Sequence, residues 1–168
     1  MAEQLLPGYC IRRGSTLDRA LLVKFMQRTY QQISQKQDLS HLVYTVEQYL
    51  STETPLWWVE EEGGTTSSIS TLPHPTPPIA CLWVGNVIDQ LFGDRHANIF
   101  LLYVVPEHRR RGIGTALMGY VENWATCRGD RQIGLQVFES NTAALNLYNH
   151  QGYQTQSLWM VKSLHTDK

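Results

Sequence analysis

Residues 98–138 restrict the fold more than any other part of this chain. Residues 99–105 form a continuous apolar run rich in β-branched and aromatic side chains, the composition of a buried strand. Pro106 removes a backbone donor and stops it. Arg109-Arg110-Arg111-Gly112-Ile113-Gly114 follows. From there Ile113, Ala116, Leu117, Tyr120, Val121 and Trp124 recur at the spacing of one helix face. Gly129 stands where such a helix is capped, and residues 132–138 read as the next strand. Two strands joined through a whole helix form a crossover unit and run parallel.

The turn in this unit has its own chemistry. A helix start leaves its first N–H groups unpaired, and the helix dipole places partial positive charge there. Gly112 and Gly114 let an anion approach the backbone, and Arg109, Arg110 and Arg111 add full charges. The stretch Arg109 to Thr115, including Ile113, is therefore a candidate site for a phosphate-rich ligand; the bland alternative is a solvated basic turn. The stretch lacks the Gly-Lys-Ser/Thr ending of a P-loop. Leu117 fills the third glycine position of the dinucleotide fingerprint.

The pattern Arg109-x-x-Gly112-x-Gly114, after a Val-Val-Pro strand end, resembles the Arg/Gln-x-x-Gly-x-Gly/Ala signature of the GCN5-related N-acetyltransferases. Asn141, Ala144, Leu147, Tyr148 and Gly152 are similar to that family's Asn-x-x-Ala-x-x-Leu-Tyr-x-x-x-Gly-Phe element, with Tyr153 in place of the usual Phe. The likeness covers about the last two-fifths of the chain; the N-terminal half matches only in its order of strands and helices. It implies the acyl-CoA N-acyltransferase fold, an α/β (α+β) architecture. The sheet would be mixed and mostly antiparallel, with one parallel, splayed strand pair and helices on both faces.

The resemblance also implies an activity: transfer of the acetyl group of acetyl-CoA to a primary amine through a ternary complex. The basic turn would hold the pyrophosphate. The backbone edge at Tyr103, Val104 and Val105 would bond the pantetheine amides as an added strand does. Asn141, Ala144 and Leu147 would complete the cofactor side, with Asn141 also serving as a helix cap. Tyr148 is the catalytic candidate, because a phenol beside the departing sulfur can hydrogen-bond to it or protonate it; its bland alternative is a core-facing helix tyrosine. Family members often carry a carboxylate base on the central strand or its neighbour, where this chain has Phe100, Leu101 and Gln136. Glu139, His96 and Glu60 would serve only through water. The missing base keeps a second reading open, a non-catalytic acyl-CoA-binding regulatory module on the same fold.

The rest of the chain sets limits. Its 168 residues suggest one domain. A net charge of −1 argues against a nucleic-acid partner. Cys10, Cys81 and Cys127 are scattered and the histidines lack ligand spacing, so no metal is expected. Neither a secretory signal nor a membrane-spanning apolar run is apparent, and the expected location is cytoplasmic. The expected partner is a small-molecule or peptide amine; homodimerisation through the last strand or the aromatics near Trp159 stays open.

In chain order, a tail at 1–7 is expected to be disordered, followed by a strand at 9–13. A helix capped by Ser15 or Thr16 runs to Ile33. A polar run at 34–40, a short helix at 46–50 and a strand at 56–60 come next. A Gly/Ser/Thr/Pro-rich loop covers 61–78, and a strand covers 79–87. Beyond the central unit come a helix at 142–149 closed by Gly152, a final strand at 153–162 and a disordered tail at 165–168. Tyr30, Tyr44 and Tyr49 are candidates for an acceptor pocket, though half-buried structural aromatics are the simpler reading. Glu60, Glu61 and Glu62 either attract a cationic amine or solvate a strand end.

Overall fold

The computed structural model describes residues 2–34, 38–63 and 77–165. Residues 35–37 of the polar run, 64–76 of the long loop and 166–168 of the tail lie outside the described residues. The chain divides into two compact units, Met1–Gln136 and Val137–Lys168.

The first unit is built on six strands: β1 (Glu3–Leu6), β2 (Tyr9–Arg13), β3 (Leu56–Glu61), β4 (Ala80–Ile88), β5 (Arg95–Val104) and β6 (Ile133–Leu135). They lie in sequence order across one sheet. Each neighbouring pair is antiparallel except β5 and β6, which are parallel. The parallel pair is the crossover that the sequence predicts, made by helix α3 (Ile113–Arg128). Strand alternation sends Leu56, Trp58, Cys81, Trp83, Leu101 and Tyr103 to one face. There they meet Leu22, Phe25 and Met26 of α1 (Arg19–Ile33) and Leu42 and Val46 of α2 (His41–Tyr49). The opposite face carries Trp57, whose ring meets Tyr120 and Trp124 of α3 edge-on at 5.6 and 5.5 Å. Helices therefore cover both faces, and each fully buried Leu, Val or Phe contributes about 1.5–3 kcal/mol.

Polar ties fix the elements. Ser15 caps a 3₁₀ turn at Thr16–Asp18 in a reciprocal capping box with Asp18. The Asp18 carboxylate also accepts from the Trp58 indole at 3.1 Å, joining the start of α1 to the sheet. At the far end of α3, Gly129 takes φ +92 as the C-cap. Arg128 donates to Asp130 at 2.6 and 2.9 Å and to Asn86 of β4 at 2.7 Å. Asp130 in turn accepts from the backbone of Ala97 in β5 at 2.7 Å. Together these bonds lock the α3–β6 connection onto two strands.

Two expectations change in the first unit. Residues 3–6 are not a loose tail; they form β1, paired with β2 and tied to α3 by the Tyr120 hydroxyl, which donates to Glu3 at 2.7 Å. The strand expected at 132–138 is shorter, because its pairing with β5 ends at Ile99↔Leu135.

The second unit contains α4 (Thr142–His150), and Gly152 follows it at φ +89, a left-handed position that suits glycine. The final strand expected at 153–162 does not form, since a strand exists through its ladder and no described strand pairs with this segment. Its apolar residues Leu158, Trp159, Met160 and Val161 are contiguous rather than alternating, and all are exposed.

Candidate active site

The site begins where the sheet opens. Between β4 and β5 the register steps from Trp83↔Leu101 to Val84↔Ile99, leaving Phe100 as an extra residue on β5. Such a bulge bends its strand and increases the local twist. On the other side of β5 the parallel ladder stops at Ile99, one residue before the bulge. The bulge and the break thus coincide, and β5 continues to Val104 with one edge to which no described strand pairs. Gly85 of β4 makes room: a methyl there would lie 2.0 Å from the Phe100 ring.

Antiparallel pairing decides which groups face the open edge. The Val105 N–H donates to Ile79 at 2.9 Å, so by alternation Tyr103 and Val105 direct their backbone groups toward β4. Val104 and Leu102 then face outward. Of the three residues expected to offer a free edge, only Val104 has its backbone polar groups there. Its carbonyl accepts from the Arg109 side chain at 2.8 Å, and a carbonyl keeps a second lone pair for another donor.

A 3₁₀ turn at Pro106–His108 leads from this edge to α3. Arg110 and Gly112 both take left-handed backbone, φ +64 and +86. Gly112 is the N-cap of α3, and no side chain caps the helix. The amides of Ile113, Gly114 and Thr115 therefore lack helical partners; the first ladder bond is Ala116 N–H to the Gly112 carbonyl, 3.0 Å. Left-handed residues thus stand on both sides of Arg111, directly before the unpartnered amides of the helix start.

The three arginines are not equivalent. Arg109, besides its bond to Val104, reaches Gln32 of α1 at 3.2 Å and lies 5.4 Å from the Tyr103 ring centre. Arg111 donates to the Tyr9 hydroxyl at 2.9 Å. Arg110 is exposed. Tyr9, His108 and Gln32 carry no sequence signal for this role, because their contacts span 77 to 102 residues and follow no local period.

In the second unit, the Asn141 side chain accepts from the Ala144 N–H at 3.3 Å, so the N-cap role is met. Ala144, Leu147 and Tyr148 are half-buried on α4. The Tyr148 ring lies 5.9 Å from that of Tyr153, and burial pushes its hydroxyl above the ordinary tyrosine pKa.

The groups considered as a base are already engaged or lie elsewhere. Glu60 pairs with Arg12 at 2.7 Å. His96 is buried at the start of β5, its Nδ1 at 2.9 Å from the Ala97 carbonyl oxygen. Glu139 is exposed in the second unit. Tyr30 packs against the core, while Tyr44 is exposed and Tyr49 approaches Phe100 with ring centres 6.1 Å apart. Among the described residues, no group of three or more His, Cys, Asp or Glu side chains is placed to hold a metal ion. Nor is any described helix long and apolar enough to cross a membrane.

Comparison with known proteins gives this geometry a context. Residues 23–153 match the model of the acetyltransferase (GNAT) family. An uncharacterised N-acetyltransferase of Methanocaldococcus jannaschii is 28% identical over 95 residues, 56% of this chain and 40% of that protein. The chain spans between 12% and 55% of the length of the first curated relatives it matches. Among solved structures, a predicted acetyltransferase from Clostridium acetobutylicum with acetyl-CoA superposes with TM-score 0.70 at 20% identity, over 93% of this chain and 96% of that one. AAC(6′)-Iy, in complex with a CoA-linked acetylneamine bisubstrate analogue, superposes at 0.64 and 14% identity, over 94% and 99%. At such identities these two share the fold.

Proposed function

This chain belongs to the acetyltransferase (GNAT) family, and from that premise we propose that it transfers the acetyl group of acetyl-CoA to a primary amine within a ternary complex. One observation carries the reading: the open edge of β5, freed at the Phe100 bulge, leads directly into a bare helix start. A pantetheine arm needs strand-like backbone partners, and its diphosphate needs clustered N–H donors. Both lie within residues 100–115, on one continuous stretch. The acetyl-CoA held by the Clostridium acetobutylicum neighbour supports the same ligand.

In this reading Val104 bonds the arm, while Gly112, Ile113, Gly114 and Thr115 with Arg110 receive the phosphates. For Asn141, Ala144 and Leu147 of the second unit, the cofactor role is proposed on the family resemblance alone. Tyr148 holds its phenol proton for the departing sulfur. A phenol with raised pKa gives up a proton reluctantly, so its main work is a hydrogen bond that stabilises the thiolate.

The acceptor follows from what the strands lack. Without a carboxylate at Phe100, Leu101 or Gln136, the amine must arrive neutral or lose its proton through water. An α-amine with pKa near 8 is about one-tenth neutral at pH 7, whereas a lysine-type amine near 10.4 is neutral only about once in 2,500 molecules. The gap is about 3 kcal/mol in favour of an acceptor with a weakly basic amine. The bisubstrate complex of the neighbour in the same fold makes amino sugars a sensible part of the acceptor panel.

The rival is a regulatory module that binds acyl-CoA without transfer, favoured by the missing carboxylate. Calorimetry with acetyl-CoA, followed by thiol release with a panel of amines across pH, tests both. Binding with amine-dependent thiol release is expected, with rates that follow the neutral fraction of the amine. Binding without release selects the regulatory module, and no binding at millimolar acetyl-CoA rejects both.

A further inference from the structure

Arg111 is exposed, yet its guanidinium is tied to the protein. It donates to the Tyr9 hydroxyl at 2.9 Å, and that hydroxyl lies 2.9 Å from His108 Nδ1. The hydroxyl accepts from arginine and keeps a second lone pair and its own proton, so it bonds Nδ1 in either imidazole tautomer. Arg111 also approaches that nitrogen at 3.5 Å. Tyr9 is 6% exposed and stands edge-on to the His108 ring, centroids 5.7 Å apart. Glu61 of β3 closes the group at 3.6 Å from Nδ1. Three distant parts of the chain meet here: the start of β2, the end of β3 and the turn after β5.

The consequence concerns the neighbouring turn. Residues 106–112 are anchored at both flanks by their own arginines, Arg109 to Val104 and Gln32, and Arg111 to Tyr9. Between the anchors stands Arg110, exposed and left-handed at φ +64. We propose that Tyr9, His108 and Arg111 are positioning residues that hold the Gly112–Thr115 amides in place, leaving Arg110 as the side-chain cation for the phosphates. This assignment rests on the acetyl-CoA reading for its ligand. It divides a cluster that the sequence presents as three equal phosphate ligands.

The test uses the full chain and compares wild type with Tyr9→Phe, Arg110→Ala, Arg111→Ala and the Tyr9→Phe/Arg111→Ala double variant. Tyr9→Phe keeps the ring packing and removes only the relay. It is expected to raise KM for acetyl-CoA about three- to tenfold with kcat unchanged, and the double variant should be no worse than Arg111→Ala. Arg110→Ala should raise KM by about tenfold and reduce the dependence of KM on salt, which Tyr9→Phe should leave intact. A second measurement needs no ligand: ¹⁵N order parameters at Gly112, Gly114 and Thr115 should fall in Tyr9→Phe and Arg111→Ala but not in Arg110→Ala. Strict additivity of Tyr9→Phe with Arg111→Ala, or unchanged order parameters in Tyr9→Phe, overturns the positioning role. If wild type binds no acetyl-CoA, the functional reading and the phosphate role of Arg110 fall, while the order parameters still decide whether the anchors hold the turn.

Discussion

At the scale of single residues, the proposed chemistry depends on a phenol in a half-buried setting. Burial disfavours the charged phenolate and lifts the Tyr148 pKa, so the hydroxyl stays protonated across the neutral range. Tyr148→Phe is expected to lower kcat by about a hundredfold or more while leaving calorimetric acetyl-CoA affinity unchanged. A wild-type kcat profile should fall only above the ordinary tyrosine range as the phenol ionises, and the variant should lack that alkaline limb. Unchanged turnover would remove Tyr148 from the reaction. The residue scale is also where the sequence says least about Arg109 and Arg111. Side by side with glycines they read as a cationic patch, yet each bonds a partner on a distant element. Local periodicity carries no information about such pairs.

Elements follow the sequence more closely. The apolar run at 99–105 and the helix period after Gly112 predict the parallel β5–α3–β6 unit, because long periodic patterns are set by burial. The left-handed Gly129 at the end of α3 agrees with C-capping chemistry. What the pattern hides is the bulge, since Phe100 looks like any other member of an apolar strand. Its place is fixed across the sheet by Gly85, which only the fold brings opposite. Gly85→Ala puts a methyl into the Phe100 ring, and overpacking of this kind costs about 1–3 kcal/mol. Thermal unfolding should show the loss together with a raised KM for acetyl-CoA, as the strand shifts at its opening. Adding Phe100→Leu should restore part of the melting temperature; no restoration would place the strain elsewhere.

Across the first unit as a whole, the Arg128–Asp130 pair joins α3 to β4 and β5, Arg128 through Asn86 and Asp130 through the Ala97 N–H. The Asp130 side chain is 2% exposed and its partner Arg128 holds the carboxyl below the usual aspartate pKa, aided by the Ala97 N–H. A depressed folded pKa contributes stability that is complete above the unfolded value near 4 and is lost as pH falls through the lower folded value. Asp130→Asn is expected to cost about 2 kcal/mol at neutral pH. Melting curves of wild type and variant should converge toward strongly acid pH; a constant gap would rule out the ionised pair as the cause. This connection was legible only as a capping glycine and a short polar turn. The segment at 153–162 misled in the opposite direction, because an apolar, strand-like composition gives no ladder without a neighbour.

The Arg109 side chain lying over the Val104 carbonyl has an effect beyond ligand recognition. A half-empty strand margin is an invitation for another polypeptide to add itself, and proteins commonly defend such margins with a charge. Here the charge comes from the very turn that leads into α3, so one stretch of chain both opens the margin and sets a guanidinium over it.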